Sequence, residues 1–322
     1  MIDSYKFTED GFLPCGEDEA DFFDAVRPDP PEMTRLAAKF GIPPLFLSDP
    51  LDPKERPRMD QEEATTLLII RVPVRLNGDL PGTGTGSGEA TRLDHKTIGT
   101  APLGIIIQGS KLILVAADQV LARELYGRLN RKPRPKSMLS VVFKIFIECS
   151  ADFIKYLELM EELTDEAELT LSKAQQNEEI MTLLAIDKTL IHFSVALKSN
   201  RTIMEKLMDY PFLRLDTAET DLLEHALTEN QQAIFMADIF GQVLGSMSDA
   251  FGTVISNNLN KVVKFLTGIT IILMLPTFIV GAYGMNVVLP LEKHPLAFWV
   301  IVCLCLMSCA LLWLFFRNRK WV

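Results

Sequence analysis

The side chains best placed to do chemistry in this 322-residue sequence are small hydroxyl and amide groups that recur at alternating steps of three and four residues. With a few apolar members they form one stripe: Gln242, Ser246, Asp249, Thr253, Ser256, Asn260, Val263, Thr267, Thr270, Met274, Thr277 and Gly281. Because the spacing is heptad-like, the stripe stays on one side of a supercoiled helix. Every threonine between Phe265 and Tyr283 falls on it, and larger apolar residues cover the remainder of that segment.

A polar stripe inside an apolar segment faces either water or the interior of a helix bundle. One copy cannot enclose a channel, but several copies with their stripes inward would line a narrow aqueous pore with hydroxyl groups. The alternative is close helix packing through small residues, with no pore. No charged residue lies on the stripe between Phe265 and Tyr283, so a fully dehydrated ion would find few strong ligands there.

Other residues that could carry chemistry lack the spacing that a site requires. The four histidines match neither HExxH nor a three-histidine pattern, and no nucleophile and base stand in a recognisable arrangement, so we do not predict an enzyme. Glu292 and His294 are a pair that could contact a transition metal.

The glycine-rich run over 78–89 lacks the Lys-Ser/Thr ending of a phosphate-binding loop. We therefore expect it to be a flexible connection between two strands.

Two apolar segments near the C-terminal end are long enough to cross a bilayer. About 20 apolar residues span its ~30 Å core, and we predict spans at about 264–284 and 296–316 that form a hairpin. Basic residues flank these spans on one side: Lys261, Lys264, Arg317, Arg319 and Lys320. The positive-inside rule places these flanks, and with them both termini, in the cytoplasm. The polar, acidic start of the chain predicts no signal peptide.

Charge is distributed unevenly along the chain. The formal net charge is -10, yet residues 261–322 contain six basic residues and one acid, so residues 1–260 carry fifteen excess negative charges. An acidic body without a basic stripe argues against binding to nucleic acid. Since 48% of the residues are hydrophobic and only 23% are charged, a disordered chain is also excluded.

The remaining patterns predict an α+β cytoplasmic domain followed by long stalk helices and a two-helix transmembrane hairpin. We place the α+β domain at 1–136, the helical stalk at 137–260 and the transmembrane pore domain at 261–322. Runs of β-branched residues predict strands within 66–74 and 101–117.

Helix signals complete this outline. Two prolines and Gly41 bound a predicted helix over 30–42, and helical spacing dominates 137–208, with a turn near Gln176. Asp216 and Glu219 match a capping box. Because no proline occurs from Thr217 to Leu275, we predict one helix that runs from Thr217 to about Tyr283.

The outer end of the first span carries a short motif, Tyr283-Gly284-Met285-Asn286. In this position, closing the first of two C-terminal spans after a long helix, it resembles the Gly-Met-Asn signature of the CorA magnesium-transporter family. The basic and aromatic ending 317–322 and the segment 49–60 are also similar to that family. The resemblance implies a funnel-shaped homopentamer with one axial pore, lined by the first span.

The resemblance also implies roles for individual residues. Tyr283, Gly284, Met285 and Asn286 would form the selectivity filter, in which a ring of Asn286 amides selects hydrated Mg²⁺. The stripe from Asp249 to Gly281 would line the pore, and the flanking lysines and arginines would form an inner basic ring. Mg²⁺ would be both transported and regulatory ion, with Asp221, Glu224 and Asp249 as candidate regulatory ligands. No further cofactor is implied. The partners would be other copies of the chain and the lipids of the plasma (inner) membrane.

Two departures keep rival functions open. The external loop of the family is often more acidic, whereas here Glu292 stands beside Lys293 and His294. One rival keeps the fold and transports Zn²⁺, Co²⁺ or Ni²⁺, with or without proton coupling. The other is a membrane-anchored scaffold or sensor that conducts nothing.

Overall fold

The computed structural model describes residues 2–8, 11–76, 91–93, 96–117, 125–129, 135–171, 177–210, 215–285 and 295–319. The chain divides into two compact units, Met1–Leu244 and Gly245–Val322. The first unit contains a mixed β-sheet and helices, and the second contains the apolar end of a long helix together with the last helix.

The sheet of the first unit has eight strands: β1 (Ile2–Thr8), β2 (Gly11–Pro14), β3 (Phe22–Val26), β4 (Arg58–Glu62), β5 (Thr65–Leu76), β6 (Thr91–Leu93), β7 (Lys96–Gln108) and β8 (Lys111–Ala116). Their order is β2-β1-β3-β8-β7-β5-β4, and β6 pairs with β7. The pair β3–β8 is parallel and the others are antiparallel. The sheet is therefore mixed but mainly antiparallel, which is consistent with an α+β domain.

The predicted strands form the middle of this sheet. Leu67, Leu68, Ile69 and Ile70 of β5 are all fully buried, which is typical of a strand covered on both faces. The predicted strand region 101–117 contains most of β7 and all of β8. These two strands form a hairpin that turns at Gly109 with a φ of 57°, a conformation that favours glycine. The segment 78–89 lies outside the described residues.

Helices cover the two faces of the sheet. On one face lie α1 (Pro30–Phe40) and α2 (Pro44–Ser48), which share a hydrophobic core with β3, β5, β7 and β8. A capping box between Asp29 and Glu32 begins α1, and Gly41, with a φ of 65°, ends it. The predicted helix over 30–42 is thus confirmed, and its two boundaries have the expected physical causes.

The other face is covered by α3 (residues 125–129), α4 (Met138–Leu171) and α5 (Asn177–Met208). Phe153 of α4 packs edge to face on Phe193 of α5, with ring centroids 4.9 Å apart. The predicted turn near Gln176 falls on residues 172–176, which the structure does not describe. After Pro211, the helix α6 (Thr217–Tyr283) begins at the predicted capping box.

Both hydrogen bonds of that capping box are present. The Asp216 carboxylate accepts from the Glu219 backbone N–H at 2.7 Å, and the Glu219 carboxylate accepts from the Asp216 N–H at 3.1 Å. From this start α6 continues for 67 residues and contains Pro276, so the predicted single helix from Thr217 to Tyr283 is confirmed. The last helix is α7 (Ala297–Asn318). Within the described part of the chain, α6 and α7 are long and apolar enough to cross a membrane.

Candidate functional site

The polar stripe of the second unit lies on an open surface of α6. All ten predicted pore-lining residues are exposed: Asp249, Thr253, Ser256, Asn260, Val263, Thr267, Thr270, Met274, Thr277 and Gly281. At 3.6 residues per turn, the members from Val263 to Gly281 fall within roughly a quarter of the helix circumference. The stripe is therefore a coherent surface that the described residues of the chain leave uncovered.

The opposite side of α6 packs against α7. Gly268 is buried, and the residues that follow it on that side are half-buried: Ile269, Ile272, Pro276, Ile279 and Ala282. On α7 the half-buried or buried residues recur at helical spacing: Ala297, Ile301, Val302, Cys305, Ser308, Cys309, Leu312 and Phe316. The Cys309 thiol contacts the Ile272 carbonyl oxygen at 3.7 Å. The stripe points roughly 170° away from this contact, so α7 does not occupy it.

Three hydroxyl groups of the stripe form hydrogen bonds within their own helix. Thr253, Thr270 and Thr277 donate to the carbonyls of the residues four positions earlier, at 3.1, 2.8 and 2.8 Å. With its proton used in this way, each hydroxyl oxygen presents lone pairs to its surroundings. The water molecules around a cation point their hydrogens outward, so such a surface complements a hydrated cation better than a bare anion.

The predicted filter lies at the end of α6. The Gly284 N–H donates to the Val280 carbonyl at 2.9 Å, and the Met285 N–H donates to the Ala282 carbonyl at 3.4 Å, so the chain is still turning at Met285. A Cβ at Gly284 would meet only ordinary contacts of 3.5 Å within the chain. Asn286, Glu292, Lys293 and His294 lie outside the described residues, and the roles predicted for them stay predictions.

Basic side chains cluster at the other end of this helix pair. Lys261 and Lys264 are exposed on α6. On α7, Arg317 lies 5.0 Å from the ring centre of Trp313 and Arg319 lies 5.9 Å from that of Phe315. Lys264 comes eight residues before Ile272, and Arg317 comes eight residues after its contact Cys309. An antiparallel pair of helices would therefore place Lys264 and Arg317 at about the same level. Lys320 is outside the described residues.

The candidate regulatory acids are separate within one chain. Asp221, Glu224 and Asp249 are all exposed, and 24 residues of α6 lie between Glu224 and Asp249 in the sequence. His225 Nδ1 approaches a Glu229 carboxylate oxygen at 3.9 Å, which is a long contact. In the described ranges no three His, Cys, Asp or Glu residues come together as a metal site. The regulatory role of these acids stays a prediction.

Sequence reasoning missed a buried carboxylate in the first unit. Asp24 of β3 is only 6% exposed, and its Oδ1 atom has no hydrogen-bond partner among the residues that the structure describes. Burial raises the pKa of Asp24 to about 6, with a further contribution from Asp3, which lies directly opposite on β1. The alternation of polar and apolar residues in β1 could have indicated a strand, but not that its partner places two acids side by side.

Comparisons with known proteins give one consistent result. A family model described as "CorA-like Mg2+ transporter protein" matches residues 17–319. The cobalt/magnesium transport protein CorA of Methanocaldococcus jannaschii is 27% identical over 311 residues, covering 94% of this chain and 91% of that protein. The protein of the same name from Thermotoga maritima is 21% identical over 295 residues, covering 89% and 79%. The solved CorA magnesium transporter from M. jannaschii superposes with a TM-score of 0.80 at 24% identity, over 100% of this chain and 98% of that one.

Proposed function

This chain belongs to the family of CorA-like Mg²⁺ transporter proteins, and from that premise we propose that it conducts Mg²⁺ across the plasma membrane, down the electrochemical gradient of the ion. The observation that carries the proposal is the exposed hydroxyl stripe of α6, which faces away from α7 and is left uncovered by its own chain. Several copies with their stripes inward would join these surfaces around one aqueous pore. A homopentamer is the assembly that the family resemblance favours.

Selection in this proposal depends on the hydration of Mg²⁺. The ion demands near-octahedral oxygen ligation and loses its waters reluctantly. A ring of Asn286 carbonyl oxygens, beside Tyr283, Gly284 and Met285, would accept hydrogen bonds from those waters without removing them. The threonine oxygens of the stripe would then make the same kind of contact on the way inward. The membrane potential supplies about 2.3 kcal/mol per charge per 100 mV, or roughly 4.6 kcal/mol for a divalent ion.

Regulation by cytoplasmic Mg²⁺ belongs to the same proposal. Asp221, Glu224 and Asp249 would contribute ligands or negative charge between neighbouring copies. At the inner end of the pore, Lys261, Lys264, Arg317, Arg319 and Lys320 would form a basic ring that opposes the passage of cations. Both termini would lie in the cytoplasm, since these basic residues flank the two spans on one side.

The proposal is tested by flux measurements on purified protein in liposomes with an imposed inward gradient. We expect uptake of Mg²⁺ that Asn286→Ala abolishes while the oligomer, measured by light scattering, stays intact. Asn318→Ala, at the other end of the hairpin, is the matched control and should conduct normally. Normal Mg²⁺ uptake by Asn286→Ala, with unchanged ion preference, would show that the ring has been assigned to the wrong residue.

The same liposomes separate the rival functions. Co²⁺ is the second candidate ion, because the names of both curated relatives include cobalt. Uptake of Co²⁺ or Zn²⁺ in preference to Mg²⁺ would keep the fold and change the substrate. If the intact oligomer conducts no divalent ion at any internal Mg²⁺ concentration, the chain is a scaffold or sensor instead.

A further inference from the structure

One carbonyl group of α6 loses its helical partner at Pro276. Proline has no backbone N–H, so the carbonyl four residues earlier, that of Ile272, cannot receive the usual helical hydrogen bond from residue 276. Water cannot satisfy such a group in the hydrocarbon region, and neighbouring helices usually do so instead. We therefore expect a group on α7 to reach the Ile272 carbonyl.

That group is the thiol of Cys309. Its Sγ atom lies 3.7 Å from the Ile272 carbonyl oxygen, and Cys309 is half-buried on the side of α7 that faces α6. A thiol is a weak hydrogen-bond donor, but here it reaches the same carbonyl that the proline leaves free. The two features belong to different helices and meet at one carbonyl oxygen.

The affected turn lies within the part of α6 that carries the hydroxyl stripe. Thr270 and Thr277 stand on either side of the turn 272–276, with hydroxyls bonded to the Leu266 and Leu273 carbonyls. A helix bends most readily where proline removes a hydrogen bond. Any change of bend at Pro276 would alter the direction of Thr277 relative to Thr270.

We propose that Cys309 is a positioning residue: its thiol holds the Ile272 carbonyl, restrains α6 from bending at Pro276 and keeps Thr270 and Thr277 aligned on one stripe. This inference rests on the proposed function, because it treats the stripe as the conducting surface. It adds that the outer helix α7 controls the geometry of the inner helix through one identifiable contact.

The test is a double-mutant cycle on full-length protein in liposomes, with Mg²⁺ flux and the thermal unfolding midpoint as readouts. Cys309→Ala should lower flux on the order of fivefold, as expected when a hydrogen bond of modest strength is lost. In a Pro276→Ala background the alanine N–H restores the helical bond to Ile272. There Cys309→Ala should leave flux unchanged, because the carbonyl no longer needs the thiol.

Two further variants control for the loss of a side chain. Cys305→Ala removes another half-buried thiol of α7 and should conduct like the parent protein, and Cys309→Ser keeps a donor and should retain more flux than Cys309→Ala. An equal loss from Cys309→Ala in both backgrounds would mean that the thiol only packs, which overturns the proposal. So would equal losses from the alanine and serine variants.

The outcomes also distinguish this inference from the proposed function. If the parent protein conducts nothing, the proposed function fails, yet the unfolding midpoints of the four proteins still report the contact. Midpoint shifts that are additive across the cycle would then refute the Cys309–Ile272 hydrogen bond. A midpoint shift for Cys309→Ala that vanishes in the Pro276→Ala background would support that bond. If the two substitutions are coupled in the unfolding midpoint but not in Mg²⁺ flux, the positioning role is overturned.

Discussion

Among single residues, Asp24 makes the clearest pH prediction. Its pKa is raised to about 6 from the ordinary 3.8, first by burial and then by Asp3. The folded state therefore binds this proton more tightly than the unfolded state, and stability falls as the pH rises from about 4 to about 6. Asp24→Asn should remove this dependence and stabilise the protein above pH 7 by ~2–3 kcal/mol.

Chemical unfolding of the full-length protein in detergent, followed between pH 4 and pH 8, measures this effect. Asp209→Asn removes an exposed carboxylate of the same unit and should leave the pH profile unchanged. A profile for Asp24→Asn that keeps the parental slope between pH 4 and pH 6 would contradict the assignment.

The threonines of the stripe make a second prediction at this scale. Thr277→Val keeps the shape of the side chain but removes the oxygen that would accept a hydrogen bond from the waters of an ion. We expect a three- to tenfold loss of Mg²⁺ flux, about the value of one hydrogen bond, while Thr277→Ser conducts normally. Thr202→Val, at an exposed hydroxyl of α5 that bonds the Lys198 carbonyl in the same way, is the control. Parental flux in Thr277→Val would show that this hydroxyl makes no contact with the ion.

At the scale of elements, the sequence predicted the middle of the sheet better than its edges. β5, β7 and β8 are covered on both faces, so their apolar runs are continuous and easily recognised. β1 contains Lys6 among partly buried residues, and β4 contains one apolar residue, Met59, among four polar ones. Neither strand therefore has a continuous apolar run, and neither was predicted. The long helix α6 was predicted because its capping box and its freedom from proline up to Leu275 are local signals.

Contacts between elements could not be predicted in this way. The contact between Cys309 and Ile272 depends on how far α7 is shifted along α6. The length of the sequence that joins the two helices does not determine this shift. The hydroxyl stripe, by contrast, was visible because periodicity along one helix needs no knowledge of a partner.

A contact between α5 and β5 gives the prediction that belongs to this scale. The strand β4 pairs with β5 only as far as Ile69, so none of the described strands lies beside Arg71 on that edge. The Asn200 side chain takes this place: its Oδ1 accepts from the Arg71 N–H at 3.0 Å and its Nδ2 donates to the Arg71 carbonyl at 2.8 Å. Asn200→Ala would leave both backbone groups without these bonds in a buried position and should destabilise the protein by ~3 kcal/mol.

Urea unfolding with full-length protein checks this value. Gln232→Ala, at an exposed amide of α6, should change the unfolding free energy by less than ~0.5 kcal/mol. An Asn200→Ala protein as stable as its parent would mean that the edge of β5 is satisfied in another way.

At the scale of the whole molecule, charge is the dominant feature. Fifteen excess negative charges lie on residues 1–260 of each copy, and bringing several copies around one axis raises the free energy through self-repulsion. Divalent cations between the copies would offset that repulsion and favour a compact, closed assembly. When internal Mg²⁺ falls, the ions would leave and the subunits would separate at the inner neck.

This switch needs a coupling free energy of only about 1–3 kcal/mol, and limited proteolysis can detect it. We expect millimolar Mg²⁺ to protect the purified oligomer from cleavage, whereas NaCl at matched ionic strength does not, because screening alone cannot bridge two subunits. Asp221→Asn combined with Glu224→Gln should raise the Mg²⁺ concentration needed for protection, and Asp209→Asn should not. Identical digestion in Mg²⁺ and in chelator would mean that the acidic surface serves only solubility, and the gate would then have to respond to another signal.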